Sequence, residues 1–121
     1  MFVLLEHTVG DDTHWDFLVE TAESEKLTSW RLLGNPLTAT GPVLAQPIAD
    51  HRRLYLDFEG ELSDGRGSVS RLDRGEAEVI AEAQGIRIFR LTGVRLFGLY
   101  KIAAGPGATF SRYRPDNVRE V

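Results

Sequence analysis

Short apolar-rich runs alternate along this chain with glycine-bearing breaks at Gly10, Gly34, Gly41, Gly60, Gly65, Gly67, Gly75, Gly85, Gly93 and Gly98. The runs between the breaks suit strands and leave little room for long helices. Phe2–His7 and His14–Thr21 read as the first two strands, followed by Leu27–Leu33, Val43–Ile48 and Arg53–Leu62. Ser68–Leu72, Glu76–Ala83, Ile86–Leu91 and Val94–Ile102 complete the predicted set. Leu91-Thr92-Gly93-Val94 reads as a tight hairpin turn between two apolar strands. Glu76–Gln84 (EAEVIAEAQ) is rich in Ala and Glu and equally suits a helical turn or two. Residues 103–121 are Gly/Pro-rich and then basic, the pattern of a loop and tail.

Side chains on a strand alternate between two faces, so parity assigns each residue a side. In His14–Thr21, Trp15, Phe17 and Val19 share one face, and His14, Asp16, Leu18 and Glu20 share the other. In Arg53–Leu62, Leu54, Leu56 and Phe58 oppose Arg53, Tyr55, Asp57 and Glu59, with His51 in phase with the polar set if that strand extends back to it. Many short strands with frequent turns predict an all-β fold, a small closed or partly open β-barrel of about eight strands with few or no helices. A curved sheet of this kind brings two polar strand faces into one cleft.

The 121 residues, 42% hydrophobic and 26% charged, fit a single domain over 1–121 with one core. The chain has no cysteine, which excludes disulfides, thiolate catalysis and cysteine-bound zinc. The formal net charge of −4 is the wrong sign for a general nucleic-acid coat, so any nucleic-acid role has to rest on a local patch. No apolar run is long enough to span a membrane, and the opening Met1–Leu5 lacks the form of a signal peptide. A cytoplasmic location is the expectation.

All three histidines fall near polar strand faces. His14 and Asp16 point the same way, and a hairpin partner carrying His7 brings a third ligand beside them. Two imidazoles and a carboxylate suit Mn, Fe or Zn, whereas exposed imidazoles beside an N-terminal carboxylate need bind nothing. A metal-bound imidazole is oriented by an acceptor behind it, and Glu20 on the same face is the candidate. His51 and Tyr55, with Arg53 between them, form a row able to grip phosphate and donate a proton; a solvated strand face is the plainer reading. Asp50-His51-Arg52-Arg53 adds positive charge there. Gly65-Arg66-Gly67 lacks the spacing of a phosphate-binding loop and reads as a turn. Ser68 and Ser70 have no base nearby in sequence. Tyr113, between Arg112 and Arg114, is placed to stack on a base, although a basic tail is the simpler reading.

The runs FVLLEH, HWDFLVE, LTSW, ADHRRLYLDFEGEL, LDRGE and LTGVRLFGLYKI together resemble the 3′-phosphoesterase domain of bacterial ligase D, which belongs to the non-homologous end-joining machinery. The resemblance extends to Ile102 in the same order, and Asp50 to Gly60 carries its most specific part. It implies a small β-barrel that removes 3′-terminal phosphates, and nearby ribonucleosides, from DNA ends with manganese or a similar divalent ion such as zinc or cobalt. By this resemblance His7, His14 and Asp16 hold the metal, and His51 and Tyr55 contact the scissile phosphate. The implied partners are nucleic-acid 3′ ends, either DNA or RNA-tipped DNA, bound weakly, and a ligase of the end-joining machinery.

The chain departs from the family pattern at cationic positions. Leu18 stands where an arginine is expected two residues after the metal aspartate, Val43 where another is expected, and Gly34 where a lysine is expected. Arg53 and Arg52 are the candidates to replace them as substrate-binding residues. An acidic arm ahead of the first strand, used for ribonucleoside removal, has no room before Phe2. Two further readings stay open: a catalytically weakened metal-binding barrel that acts as an interaction module, and a phosphoesterase for a small phosphorylated substrate.

Overall fold

A computed structural model describes residues 1–114. Nine strands run in order: β1 (Phe2–Val9), β2 (Asp12–Glu20), β3 (Leu27–Leu32), β4 (Val43–His51), β5 (Gly60–Glu61), β6 (Ser68–Ala83), β7 (Ile86–Thr92), β8 (Phe97–Ala103) and β9 (Thr109–Arg112). Every pairing is antiparallel, in the order β1-β2-β3-β4-β9-β8-β7-β6, and β1 pairs β6 to close an eight-strand ring, with β5 an extra strand on β6. The strands are unevenly disposed about the axis, so the architecture is a partly open β-barrel, as the pattern predicts. Among the described residues there is no α-helix, and none is therefore long and apolar enough to cross a membrane.

Parity sorts the core as expected. Phe2, Leu4, Phe17, Val19, Trp30, Phe89, Leu91, Tyr100, Ile102 and Phe110 fill the barrel interior. Phe17 lies at its centre, with ring centroids 5.2 Å from Phe110, 5.7 Å from Phe89 and 5.8 Å from Phe2. The alternate residues Val3, Leu5 and Leu18 enter a second cluster outside the ring with Leu27, Leu56 and Val69. β1 is thus buried on both sides, which is why FVLL is unbroken by a polar residue.

Four elements differ from the sequence reading. Arg53–Leu62 is not a strand: Arg53–Leu56 forms a single 3₁₀ turn, followed by the two-residue β5. The turn drops Leu56 into the outer cluster, and that burial outweighs the strand-like alternation of the segment. Arg53, Tyr55, Asp57 and Glu59 therefore do not share a strand face. Ser68–Leu72 and Glu76–Ala83 are one continuous strand, β6, that pairs first with β1 and then with β7. The helical alternative for Glu76–Gln84 fails because cross-strand partners override its propensity: Ala77 faces Leu91, Val79 faces Phe89, and Glu78 and Glu82 pair with Arg90 and Arg87. Gln84 and Gly85, both at positive φ (53° and 78°), then make the two-residue turn into β7.

The β7–β8 connection is a four-residue turn, Gly93–Leu96, not a two-residue one, and β8 begins at Phe97. The buried Asp73 holds that turn by accepting the backbone N–H groups of Val94, Arg95 and Leu96 at 3.0, 3.0 and 2.7 Å. This accounts for the LDRGE run: Asp73 clamps the turn, and Gly75 passes where a Cβ would enter the Thr92 carbonyl. Finally, part of the expected tail is a stave. Thr109–Arg112 is β9, which bridges β4 and β8 and completes the ring. Residues 115–121 of the expected tail lie outside the described residues.

Candidate metal and phosphate-binding site

The β1–β2 hairpin turns at Gly10-Asp11 and sets His7 directly opposite His14. Asp16 lies one pleat further on the same face, so one ligand atom from each of His7, His14 and Asp16 falls within 4.8 Å of the others. His7 Nδ1 is 3.0 Å from His14 Nε2, His14 Nε2 is 3.6 Å from Asp16 Oδ1, and His7 Nδ1 is 3.9 Å from Asp16 Oδ2. Donors about 2.0–2.2 Å from a shared ion have separations in this range.

The electrostatics of the trio fit a cation. Asp16 is 3% exposed, and its Oδ1 is buried without a hydrogen-bond partner. Burial pushes its carboxyl above the usual range, against the opposing pull of His14, His51, Arg31 and His7. Burial likewise lowers the His14 pKa, overriding the attraction of Asp16. His14 is therefore biased to the neutral form that ligates metal, while the charges around the carboxylate do not offset its burial. A divalent cation at the trio satisfies both residues at once.

His7 Nε2 lies 2.7 Å from the Arg66 carbonyl, so the tautomer that donates there leaves Nδ1 bare toward Asp16 and His14. Gly67 makes that contact achievable, because a Cβ there, at φ +85°, would overlap the Thr8 carbonyl. Gly65-Arg66-Gly67 is a turn, as read, but it also orients an imidazole, and no local motif announces that role. Glu20 lies elsewhere: it accepts from the Met1 amino group at 2.6 Å and pairs with Arg53, and these two bonds lower its pKa.

His51 and Tyr55 come together by a route that parity does not foresee. Between the pairs Ser29–Ile48 and Leu27–His51, β4 carries one residue more than β3. This bulge puts His51, in place of Asp50, on the face shared with Ser29 and Arg31. The 3₁₀ turn then brings Tyr55 back, with its ring centroid 5.5 Å from that of His51 at 74°. His51 Nδ1 is 3.1 Å from the Ala49 carbonyl, and Asp50 accepts from the Ser24 hydroxyl at 2.7 Å. His7, His14, Asp16, His51, Tyr55 and Arg52 all line one open cleft of about 600 Å³. Arg53 is not among its lining residues.

Two cleft residues escaped the sequence reading. Arg31, paired with Asp16 across β2–β3, has its Nε 3.9 Å from Asp16 Oδ1 and without a hydrogen-bond partner. Arg66 lines the cleft from the loop side. The parity of Leu27–Leu32 puts Arg31 on the Ser29 face, but only the β2–β3 register sets that face beside Asp16.

Residues 6–104 match the family model of the DNA ligase D 3′-phosphoesterase domain, which is most of the chain. The chain belongs to that family. Membership supports a 3′-phosphoesterase-like function in DNA repair, with nucleic-acid 3′ ends as the substrate and end joining as the context. The matched span contains His7, His14, Asp16, His51 and Tyr55, the residues that line the cleft. No curated protein matches the chain.

Proposed function

We propose that this ligase D 3′-phosphoesterase domain is an active metal-dependent hydrolase that releases terminal phosphate from nucleic-acid 3′ ends. The observation that carries the reading is the convergence of His7, His14 and Asp16 in the same cleft as His51 and Tyr55. His7, His14 and Asp16 hold the divalent ion, manganese by the family resemblance, with zinc and cobalt as alternatives. When bound, that ion polarises a phosphoryl oxygen as a Lewis acid.

The chain's own residues do the rest. In its protonated form His51 donates Nδ1–H to the Ala49 carbonyl and presents Nε2–H to the phosphate. As water attacks the phosphorus and the bond to the 3′ oxygen breaks, that Nε2 proton stabilises charge or passes to the leaving oxygen. Tyr55 donates its phenol to a second phosphate oxygen. Arg31 takes the place of the cation missing at Leu18: it projects from the neighbouring strand into the same cleft, with its Nε 3.9 Å from Asp16 Oδ1. Arg52 faces the same cleft, whereas Arg53 contributes through its pairing with Glu20.

The test is phosphate release from a primer–template with a 3′-phosphate, with manganese added. The wild-type chain is expected to turn over and Asp16→Ala to lose activity by at least a hundredfold, while Arg31→Ala loses on the order of a hundredfold. Wild-type release no faster than that of Asp16→Ala would falsify the proposal.

A further inference from the structure

At the opposite end of β4 from His51, a second cavity of about 510 Å³ opens where the barrel interior meets the loop before Val43. Arg95, Lys101, Arg112 and Arg114 line it, and among the described residues no carboxylate does. In a chain of net charge −4, four cations around one cavity form a local field of the wrong sign for the molecule as a whole. Arg112 is engaged, with its guanidinium 4.9 Å from the Tyr100 ring centroid and donating to the Tyr100 hydroxyl and the Phe97 carbonyl. Among the described residues, the side chains of Arg95, Lys101 and Arg114 have neither an ion-pair nor a hydrogen-bond partner. Phe97 is not among the lining residues, but its backbone carbonyl accepts from Arg112 at the cavity wall, and its side chain is 63% exposed.

We infer that this mouth of the barrel is a second nucleic-acid contact, in which Arg95, Lys101 and Arg114 take backbone phosphates and Phe97 stacks on an unpaired base. The inference rests on the proposed phosphoesterase reading and adds a site remote from its chemistry. Cations alone would serve any polyanion. The exposed aromatic whose backbone meets Arg112 favours a polynucleotide, because each base offers a face to stack on and each nucleotide a phosphate. The two sites lie at opposite ends of a nine-residue strand, about 26 Å apart at ~3.3 Å per residue. Three nucleotides reach about 10 Å at the ~3.4 Å per phosphate of a stacked strand, and even fully extended they fall short of that separation, so a trinucleotide held in the cleft cannot touch the mouth. A strand of some twenty nucleotides can.

The experiment compares the full chain with Arg95→Ala/Lys101→Ala and with Phe97→Ser, using a twenty-nucleotide strand and a trinucleotide, each with a 3′-phosphate. The double variant is expected to bind the long strand roughly tenfold more weakly, with its log–log salt slope reduced by about 1.4, which corresponds to two phosphate contacts on a single strand. Phe97→Ser is expected to lose affinity for the long strand with the salt slope unchanged. Neither variant changes turnover of the trinucleotide. Equal loss on both substrates, or unchanged long-strand affinity and salt slope, overturns the inference. So does a double variant that loses affinity for heparin while keeping the oligonucleotide, since the mouth would then serve another polyanion. His51→Ala separates the two readings, because it removes turnover while leaving long-strand binding at the mouth. Failure of catalysis in the wild type with that binding intact would refute the phosphoesterase proposal alone.

Discussion

At the scale of single residues, His14 and Asp16 show how burial and ligation are linked. Both are held toward their neutral forms by burial, and both are drawn together by charge. For the chelated protein the signs follow directly. The folded pKa of His14 lies below its ordinary 6.5, so the unfolded chain binds more protons as the pH falls through that value. The His14 contribution is neutral above 6.5 and becomes destabilising as the pH drops from there to the folded pKa. Asp16 acts in the opposite sense: its raised folded pKa relieves a penalty present at higher pH as the solution is acidified toward 3.8. In chelator, the melting temperature is therefore expected to fall as the pH is lowered from 7 through 6.5, and to fall less for His14→Gln. Parallel curves for the two proteins would reject the assignment. The residue-level chemistry was legible in sequence because the β1–β2 hairpin is local: the H-x-D pair and His7 need only one turn to meet. Arg31 and the Arg66 carbonyl were not legible, since each reaches the trio through register or loop placement set by the rest of the sheet.

At the scale of elements, the segment Arg53–Leu62 misled the parity argument. Its alternation of apolar and polar residues suits a strand, yet the chain needs a short 3₁₀ turn there to lay Leu56 into the outer cluster beside Val3, Leu5 and Leu18. That burial also fixes Tyr55, one residue earlier, against His51 and Phe58. Leu56→Ala removes the anchor of an element that has few other contacts. It is expected to cost about 2–5 kcal/mol of stability in urea denaturation, within the range for a buried leucine. Phosphate release should fall at least tenfold under conditions where the variant is still folded, with metal affinity unchanged because the β1–β2 pairing that sets His7 opposite His14 is kept. A variant equally active per folded molecule would show that the turn does not position Tyr55. The bulge near Ala49-Asp50 belongs to the same scale: one extra residue decides whether an imidazole or a carboxylate stands opposite Leu27.

At the scale of the whole molecule, closure of the ring depends on β6, which leaves β1 and joins β7 near Gly75. Asp73 ties that crossing to the β7–β8 turn through three backbone N–H groups, plus that of Arg74 at 2.9 Å. Stranded donors cost about 1–3 kcal/mol apiece when buried. Asp73→Ala is expected to destabilise the domain by at least about 3 kcal/mol, and Asp73→Asn, which keeps one acceptor oxygen, by less. Equilibrium denaturation giving under about 1 kcal/mol for the alanine variant would show that water replaces the carboxylate. The distribution of charge belongs to this scale as well. A chain of net −4 keeps a mouth that no acidic residue lines among the described residues, which no composition value reveals.

The sequence by itself determined the all-β class, the barrel's inner and outer faces, and the convergence of His7, His14 and Asp16. Each depends on a period-two pattern or on a hairpin, and such local constraints survive in one dimension. Only the tertiary structure decided how the ring closes through β9, which face His51 presents, and that Arg31 stands beside Asp16. It also decided that Arg95, Lys101 and Arg114 gather at one mouth. Those outcomes depend on register, on a one-residue bulge and on contacts between strands distant in sequence, where the energy of burial chooses among pairings that the local pattern leaves equal.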